Sequence, residues 1–268
     1  MTIVKRVAII TGAGSGIGLG IVEELLKEGF YCCVVDSNPE LKTGVHTLLS
    51  RAENSGRFIC EDTSDWESAT RIFAQLRNEG LNPSLLVNNV SPRQKVTFIE
   101  ETEESWDSTV DGSLKSCFTY SREFIKNLDK NEFAAIVNIG SVCAELSTNQ
   151  SPSYHVSKIG VEALTRYFAV ESKLLGYNVT ANCLRLGLII QDRHRDKYSG
   201  ENNSKYRAKV SKYLYGEDNE GTERDVAKAI VFLASTSARF VNGATMVLDG
   251  GGSIQEQFYL VSRIENSE

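Results

Sequence analysis

The chain is short of proline, of histidine and of long hydrophobic runs. Its four prolines are too few for a proline-rich linker, and no repeat or low-complexity tract divides the 268 residues. Three histidines and six cysteines without a Cys-x-x-Cys pair do not supply the clustered ligands of a zinc site. No apolar run approaches the roughly 18 residues of a membrane span, and no leader sequence is recognisable. These absences predict a single domain over residues 1–268, without a metal site, membrane span or signal peptide.

Positive charge is also scarce. Lysine and arginine total 29 against 35 aspartate and glutamate residues, which gives a net charge of −6. This balance gives no electrostatic reason to bind nucleic acid or an anionic membrane, so neither is expected as a partner. With 41% hydrophobic and 24% charged residues, the composition is that of a globular protein and not of a disordered one. The cysteines stand mostly in apolar stretches, which predicts small buried side chains in the reducing cytoplasm.

Short runs rich in valine and isoleucine alternate with longer amphipathic segments. Such runs suit strands that are buried on both faces of a parallel sheet. They fall at residues 7–10, 32–35, 58–60, 85–87, 134–139, 179–184 and 246–248. Apolar residues at helical spacing lie between several of them, most clearly over residues 18–27, 106–128 and 156–175. The alternation predicts an α/β fold, a doubly wound parallel sheet of about seven strands with helices on both faces.

A glycine-rich turn follows the first predicted strand directly. It reads Thr-Gly-Ala-Gly-Ser-Gly-Ile-Gly over residues 11–18 and leads into a helix. Glycines let the backbone turn tightly and approach a pyrophosphate, and the helix N-terminus offers free N–H groups and a positive dipole end. The strand–turn–helix context is what indicates a dinucleotide-binding turn. No Gly-Lys-Ser/Thr follows, which argues against a nucleoside-triphosphate loop.

An acidic residue ends the second predicted strand. Asp36 stands 18 residues after Gly18, where a carboxylate can hydrogen-bond both ribose hydroxyls of an adenosine and repel a 2′-phosphate. Neither Ser15 nor Ser37 and Asn38 supplies the positive charge that a 2′-phosphate attracts. The expected cofactor is therefore NAD, with NADP disfavoured.

A tyrosine and a lysine one helical turn apart supply the candidate acid–base chemistry. Tyr154 and Lys158 share a helix face through their i,i+4 spacing. A free phenol with a pKa of about 10 is a poor base at neutral pH, but a neighbouring ammonium stabilises the phenolate and lowers that pKa. Such a pair can move a proton on or off an alcohol oxygen while hydride leaves or arrives at carbon. Ser141 precedes Tyr154 by 13 residues.

Together these features resemble the short-chain dehydrogenase/reductase family. The resemblance extends from Val4 to about Ile254 and includes Val-Asn-Asn at 87–89, Ile-Val-Asn-Ile-Gly-Ser at 136–141 and Leu-Asp-Gly-Gly at 248–251. It implies a Rossmann-like fold and an NAD-dependent enzyme that interconverts a secondary alcohol and a ketone by hydride transfer. It also implies a cytoplasmic homo-oligomer, a dimer or a homotetramer.

The resemblance further implies roles for individual residues. Tyr154 would be the general acid/base, Lys158 would hold the nicotinamide ribose and lower the tyrosine pKa, and Ser141 would hydrogen-bond the substrate oxygen. The implied cofactor-binding positions are Gly12, Ser15, Gly16, Ile17, Gly18, Asp36, Asp62, Thr63, Asn89, Tyr154, Lys158, Gly187 and Ile189.

The chain departs from the family pattern at several positions. The usual Asn-Asn-Ala-Gly is Asn-Asn-Val-Ser at 88–91, the Pro-Gly after the sixth strand is Leu186-Gly187, and the threonine near the carboxamide is matched at best by Gln191. The catalytic asparagine of the family falls on Ser113. A main-chain carbonyl survives that substitution and can still hold a proton-relay water, and Gly112 can permit the same helix kink. Ser113 is therefore kept as a catalytic candidate, with a reduced rate as one expectation.

The substrate pocket is predicted to come from residues 91–96, residues 142–149 and the polar, densely charged segment 190–221, a candidate lid. The basic residues of the first and last of these favour a polar or anionic small molecule over a steroid or a long acyl chain. Two alternatives stay open: another oxidoreductase on this fold (a dienoyl or enoyl reductase or an aromatising dehydrogenase), or a non-catalytic NAD-binding regulator. Enoyl reductases of this fold usually place six residues between tyrosine and lysine, whereas three intervene here.

Overall fold

Nine strands lie within the described part of the chain, and seven of them form one parallel sheet. The computed structural model describes residues 6–53, 55–92, 95–190, 213–214 and 220–265. In chain order the strands are β1 (Val7–Thr11), β2 (Tyr31–Asp36), β3 (Gly56–Cys60), β4 (Pro83–Asn88), β5 (Ala134–Ser141), β6 (Val179–Leu186), β7 (Ile189–Ile190), β8 (Gly221–Thr222) and β9 (Thr245–Leu248). The sheet order is β3-β2-β1-β4-β5-β6-β9, and β7 pairs with β8 separately.

Helices connect these strands and cover both faces of the sheet. They are α1 (Gly16–Lys27), α2 (Lys42–Leu49), α3 (Ser68–Asn78), α4 (Glu103–Val110), α5 (Ser116–Lys126), α6 (Pro152–Leu174), α7 (Glu223–Leu233) and α8 (Gln257–Glu265). A π-helical segment, Asp111–Lys115, joins α4 to α5. The predicted fold class, a Rossmann-like doubly wound parallel sheet with helices on both faces, is confirmed.

Alternation along each central strand divides the core into two layers. In β1, Ala8 and Ile10 face a cluster that includes residues of α1, α2 and α7, while Val7 and Ile9 face a cluster that includes residues of α3, α5 and α6. All five residues of β1 are buried. Burial on both faces explains why the strands read as continuous apolar runs and not as alternating ones.

The strand order reverses between β1 and β4. From β1 the chain proceeds outward to β2 and β3, then crosses back to β4 on the other side of β1 and continues to β5 and β6. In an open parallel sheet, a crevice forms outside the carboxyl ends of the strands at such a switch point, because the flanking connections diverge there. The turn after β1 and residues just past β4 therefore meet at one place.

A buried chain of amides crosses the middle of the sheet. Asn88 Nδ2 donates to Asn138 Oδ1 at 2.8 Å, and Asn138 Nδ2 donates to the Thr165 hydroxyl on α6 at 2.8 Å. Asn138 is completely buried and Asn88 nearly so. Because each amide finds a partner, these polar groups are tolerated in the core, and they tie β4, β5 and α6 together.

The cysteines are all free thiols, and five of the six are buried, with Cys60 exposed. Burial raises the pKa of the Cys117 and Cys183 thiols to about 12, so both remain protonated at neutral pH. In the described helices, none combines the length and apolar character that crossing a bilayer requires. The predicted lid at residues 190–221 lies almost wholly outside the described residues.

Candidate active site

An open cleft of about 910 Å³ lies at the carboxyl edge of the sheet. Residues from the turn after β1 and from the ends of β2, β4, β5 and β6 line it. The predicted site residues that line the cleft are Gly12, Ser15, Gly16, Ile17, Gly18, Asp36, Asp62, Thr63, Asn89, Ser141, Tyr154, Gly187 and Ile189. The two remaining predicted residues, Lys158 and Ser113, are buried behind this lining.

The start of α1 packs closely against the glycine turn that precedes it. A Cβ on Gly18 would lie 2.5 Å from Ala13 Cα and 2.7 Å from the Gly12 carbonyl oxygen, so only glycine fits there. Ser15 is the N-cap of α1, and its side chain makes no capping hydrogen bond. The first amides of α1 are consequently left for a ligand, which is the arrangement that holds a pyrophosphate at a helix N-terminus.

Asn89 joins the turn to the end of β4. Its side-chain amide donates to the Thr11 and Gly12 carbonyl oxygens at 3.1 and 2.8 Å, and its main-chain N–H donates to the Thr11 hydroxyl at 3.1 Å. Within the described contacts, Asn89 therefore shapes the cofactor turn. The direct contact with the adenosine ribose that the sequence predicts for it remains a prediction.

The carboxylate of Asp36 is fixed at the last position of β2. One oxygen accepts from the Gly14 N–H at 3.0 Å and the other from the Asn38 N–H at 3.1 Å. Further along the same rim, Asp62 accepts from the main-chain N–H and the hydroxyl of Ser64 at 2.9 and 2.8 Å. Among the described residues that line the cleft, none is lysine, arginine or histidine, so this end of the cleft is acidic.

Ser141 and Tyr154 come from two different elements, and both line the cleft. Ser141 is the last residue of β5, and Tyr154 lies in the first turn of α6. Ser151 caps α6 by accepting from the Tyr154 N–H, and proline at the first helical position favours the start of the helix. Glu101 accepts hydrogen bonds from the main-chain N–H and the hydroxyl of Ser153, which hold this helix end in place.

Lys158 lies behind Tyr154 and is almost fully buried. Its Nζ donates to the Ile139 carbonyl oxygen at 2.8 Å and lies 5.5 Å from the centre of the Tyr154 ring. Tyr154 and Lys158 are 3% and 2% exposed, respectively. A cation held this close to a phenol in a place shielded from water acts on the phenol more strongly than in bulk solvent.

The helix that carries Ser113 contains an irregular turn. Residues Asp111–Lys115 form a π-helical segment between α4 and α5, whereas the apolar spacing over residues 106–128 suggests an uninterrupted helix. Gly112 lies against Pro92, and a Cβ there would come within 2.5 Å of Pro92 Cγ. Single π turns of this kind widen a helix and free backbone carbonyls, and they recur at functional sites. The irregular backbone is present although serine replaces the family asparagine.

Replacing Ser113 with alanine should change kcat by less than about threefold. The Ser113 hydroxyl is buried and has no hydrogen-bond partner among the described residues, so its removal leaves no other described group unsatisfied. A role through the main-chain carbonyl would be retained in alanine. Steady-state rates of the S113A variant check this, and a drop of more than tenfold would show that the hydroxyl itself takes part.

A buried ion pair supports the wall behind Ser141. Arg185 on β6 donates two hydrogen bonds to Glu162 on α6, at 2.8 and 2.7 Å, and a third contact of 2.6 Å reaches Glu145. The Glu162 carboxylate raises the pKa of the guanidinium still further above its already high value. Because Gly140 pairs with Arg185 in the sheet, this network lies directly beside the end of β5.

Removing one charge of this ion pair should destabilise the protein more than replacing both charges by apolar groups. Glu162→Leu leaves the Arg185 guanidinium, 12% exposed, with only the solvent-facing Glu145, and should lower the free energy of unfolding by about 3 kcal/mol. The double variant Glu162→Leu/Arg185→Met replaces both charges by apolar groups and should recover most of that loss. Urea unfolding of the two variants checks this. Equal destabilisation of both would mean that packing, and not the unpaired charge, dominates.

Several cleft residues were not foreseen from the sequence. Ser108 on α4 and Gln150 before α6 line the cleft, as do Ser64 and Leu188. Gln150 lies one residue beyond the predicted segment 142–149, and Ser108 lies one turn before Gly112, so its helical spacing to the Ser113 region was the available signal. Of the predicted segment 91–96, Ser91 and Pro92 line the cleft, whereas residues 93–94 fall outside the described residues. No described cluster of three His, Cys, Asp or Glu side chains could hold a metal ion.

A glycine turn before a helix, a cleft at the carboxyl edge of the sheet and a tyrosine with a buried lysine behind it are features expected of a dinucleotide-dependent oxidoreductase. The comparisons agree. A family model described as enoyl-(acyl carrier protein) reductase matches residues 12–253. The 3-oxoacyl-[acyl-carrier-protein] reductase FabG of Rickettsia bellii is 30% identical over 246 residues, 92% of this chain and 96% of that one.

Solved structures give the same result. A putative short-chain dehydrogenase/reductase from Burkholderia xenovorans is similar at a TM-score of 0.83 and 27% identity, over 95% of this chain and 99% of that one. A putative gluconate dehydrogenase from Agrobacterium tumefaciens also gives 0.83, at 25% identity over 94% and 97%. The chain belongs to the short-chain dehydrogenase/reductase family and is an enzyme that acts on hydroxyl or keto groups.

Proposed function

We propose that the chain interconverts a secondary alcohol and a ketone by hydride transfer with NAD(H) as cofactor. The observation that carries this proposal is the position of Tyr154, which lines one cleft together with Ser141 and the glycine turn and has Lys158 buried behind it. The same three residues in the same order are what the family resemblance assigns to catalysis. They support a catalytic enzyme over a regulator that only binds the cofactor.

The glycine turn and the start of α1 suit the pyrophosphate of a dinucleotide. A side chain at Gly18 would push the turn away from α1, and the Ser15 side chain does not cap the first amides of α1. When bound, the nicotinamide supplies the hydride donor or acceptor. We expect Gly12, Ser15, Gly16, Ile17 and Gly18 to contact the pyrophosphate region. Asp62 and Thr63 would meet the adenine, and Gly187 and Ile189 would lie near the nicotinamide.

NAD is favoured over NADP by the charge of the adenosine end. Both oxygens of Asp36 are held by main-chain amides, which fixes the carboxylate at the end of β2, where we expect the ribose hydroxyls to bind. A 2′-phosphate placed there would meet this carboxylate at short range, and no cation of the described lining would offset the repulsion. The preference is therefore attributed to one fixed charge.

The proton steps follow from the geometry of the chain's own side chains. The Ser141 hydroxyl would donate to the substrate oxygen, and its own position is set by the Cys143 N–H, which donates to Ser141 Oγ at 3.2 Å. Tyr154 would take the hydroxyl proton of an alcohol during oxidation and return it to the ketone oxygen during reduction. Lys158 would hold the nicotinamide ribose and favour the phenolate of Tyr154.

The substrate end of the cleft supports a polar substrate. Its described polar lining consists of Ser91, Ser108, Thr148, Asn149 and Gln150. Apolar side chains also line the cleft, among them Val90, Pro92, Val142, Leu186 and Leu188. A long acyl chain would leave these polar groups without partners, which is unfavourable. Because several relatives are named 3-oxoacyl-[acyl-carrier-protein] reductases, a 3-oxoacyl group is included as a second candidate substrate.

A substrate panel tests the proposal. The purified protein is offered NAD⁺ with gluconate, 3-hydroxybutyrate, cyclohexanol or octan-2-ol, and NADH with acetoacetyl-CoA, while the NADH absorbance is followed. We expect turnover of the hydroxy acids and a preference for NAD⁺ over NADP⁺. A preference for octan-2-ol would contradict the polar substrate, and turnover of acetoacetyl-CoA alone would identify a 3-oxoacyl group as the ketone that the enzyme reduces. NADH binding without any turnover would favour the regulator.

We also propose that the chain forms a single domain and assembles into a cytoplasmic dimer or homotetramer. Helix α6 buries Val161 and Phe168 against the sheet but leaves Ile159, Val170 and Leu174 more than half exposed. Such an apolar face on a folded domain supports contact with a second copy. Light scattering of the purified protein should give a mass of two or four chains, and a mass of one chain would contradict this expectation.

A further inference from the structure

His155 occupies the position next to Tyr154, in the first turn of α6, and neither the sequence nor the family resemblance assigns it a role. Its ring bridges the helix and the segment before it. Nδ1 lies 2.9 Å from the Ser151 carbonyl oxygen, and Nε2 lies 3.1 Å from the Thr148 main-chain nitrogen and 3.3 Å from the Thr148 hydroxyl. One side chain therefore contacts both the helix that carries the tyrosine and the segment that lines the cleft.

These partners determine which form of the ring fits. A carbonyl oxygen only accepts, so Nδ1 must carry the hydrogen that is donated to Ser151. A main-chain N–H only donates, so Nε2 must be the bare nitrogen that accepts from Thr148. The neutral Nδ1–H form of His155 makes both bonds at once, which gives the ring a defined place.

The contacts of Thr148 continue to the catalytic end of the cleft. The Thr148 hydroxyl lies 3.2 Å from Cys143 Sγ and accepts from the Gln150 N–H at 3.3 Å. The Cys143 N–H in turn donates to Ser141 Oγ at 3.2 Å. Thr148, Gln150 and Cys143 all line the cleft. A continuous series of contacts thus leads from His155 to the hydroxyl that is expected to bind the substrate oxygen.

We propose that His155 is a positioning residue that holds segment 142–150, through Thr148, in the arrangement that binds the alcohol or ketone substrate. The inference rests on the proposed function, because the step it affects is substrate binding. It goes further by assigning the substrate wall to a residue outside the serine–tyrosine–lysine set. The cofactor turn shares none of these contacts, so NADH affinity is independent of His155.

Three substitutions test the bond to Thr148. In His155→Gln, the amide oxygen of the new side chain reaches toward the position of Nε2 and can accept from the Thr148 N–H. His155→Asn is too short for that bond, and His155→Leu has no acceptor. For the best alcohol of the panel, KM should rise about tenfold in H155L and H155N, the factor expected for one lost hydrogen bond. In H155Q it should stay within about threefold of wild type. NADH dissociation constants should match wild type throughout.

The outcomes distinguish this inference from the proposed function. Unchanged KM in H155L, or an equal loss of NADH affinity and thermal stability in all three variants, would overturn the positioning role. If the wild-type protein turns over no member of the panel, the proposed function fails. Amide hydrogen exchange of Thr148 then decides whether His155 holds the segment: exchange should accelerate in H155L and H155N and return toward wild type in H155Q. Equal exchange rates in all four proteins would overturn the inference.

Discussion

Replacing Tyr154 with phenylalanine should lower kcat by about a thousandfold and change NADH affinity by no more than about threefold. The substitution removes one oxygen from a side chain that is 3% exposed and keeps the ring, so the packing around Lys158 is retained. A positioned general acid or base typically contributes 10²- to 10⁴-fold to an enzymatic rate, about what loss of the phenol should cost. Steady-state rates and NADH fluorescence titration measure the two quantities separately.

Tyr167 provides the matched control for this substitution. It lies on the same helix, α6, but is 58% exposed and does not line the cleft. Tyr167→Phe should therefore leave both kcat and NADH affinity at wild-type values. If Tyr154→Phe retained full turnover, another group would have to carry the proton, and the catalytic assignment of Tyr154 would be wrong.

Replacing Asp36 with asparagine should shift the cofactor preference toward NADP by about a hundredfold. Loss of the charge weakens the hydrogen bonds that the ribose hydroxyls of NAD donate to the carboxylate. It also removes the repulsion between the carboxylate and the 2′-phosphate of NADP. Each effect should change the cofactor preference by roughly tenfold. Asparagine keeps one side-chain oxygen, so one of the two amide contacts from Gly14 and Asn38 can persist. The measurement is the ratio of kcat/KM for NAD⁺ and NADP⁺ in wild type and variant.

Glu40 supplies the control for long-range charge. It lies four residues after Asp36, is exposed and does not line the cleft. Glu40→Gln changes the net charge by the same amount and should leave the cofactor ratio within about twofold, because exposed charges are screened by salt. If Asp36→Asn and Glu40→Gln changed the ratio equally, the preference would come from overall charge and not from a fixed carboxylate.

The parts of the structure that depend on local pattern were predictable from the sequence. Buried parallel strands show as apolar runs, and the residues at their carboxyl ends, such as Asp36 and Ser141, fall at one edge of the sheet because all the strands are parallel. The glycine turn was visible because it stands between an apolar strand and an amphipathic helix, a context that the sequence itself displays. The sequence was thus sufficient to predict most of the residues that line the cleft.

The remaining features depend on contacts that sequence spacing does not encode. The π turn at Asp111–Lys115 leaves the apolar pattern of the helix almost unchanged, so periodicity alone suggests a regular helix. The bond between Glu101 and Ser153, and the bridge from His155 to Thr148, join residues whose side chains meet only after the fold has formed. In the sequence, these polar residues cannot be distinguished from ordinary exposed polar residues.

The amide chain of Asn88, Asn138 and Thr165 has a consequence for how the sheet assembles. A slip of β5 by one residue would turn Asn138 away from both partners and leave buried amide groups unpaired, at a cost of about 1–3 kcal/mol for each. Misaligned pairings are therefore disfavoured during folding even though their hydrophobic burial is similar. Ser141 lies three residues further along the same strand, so the alignment that satisfies the amides also delivers its hydroxyl to the cleft.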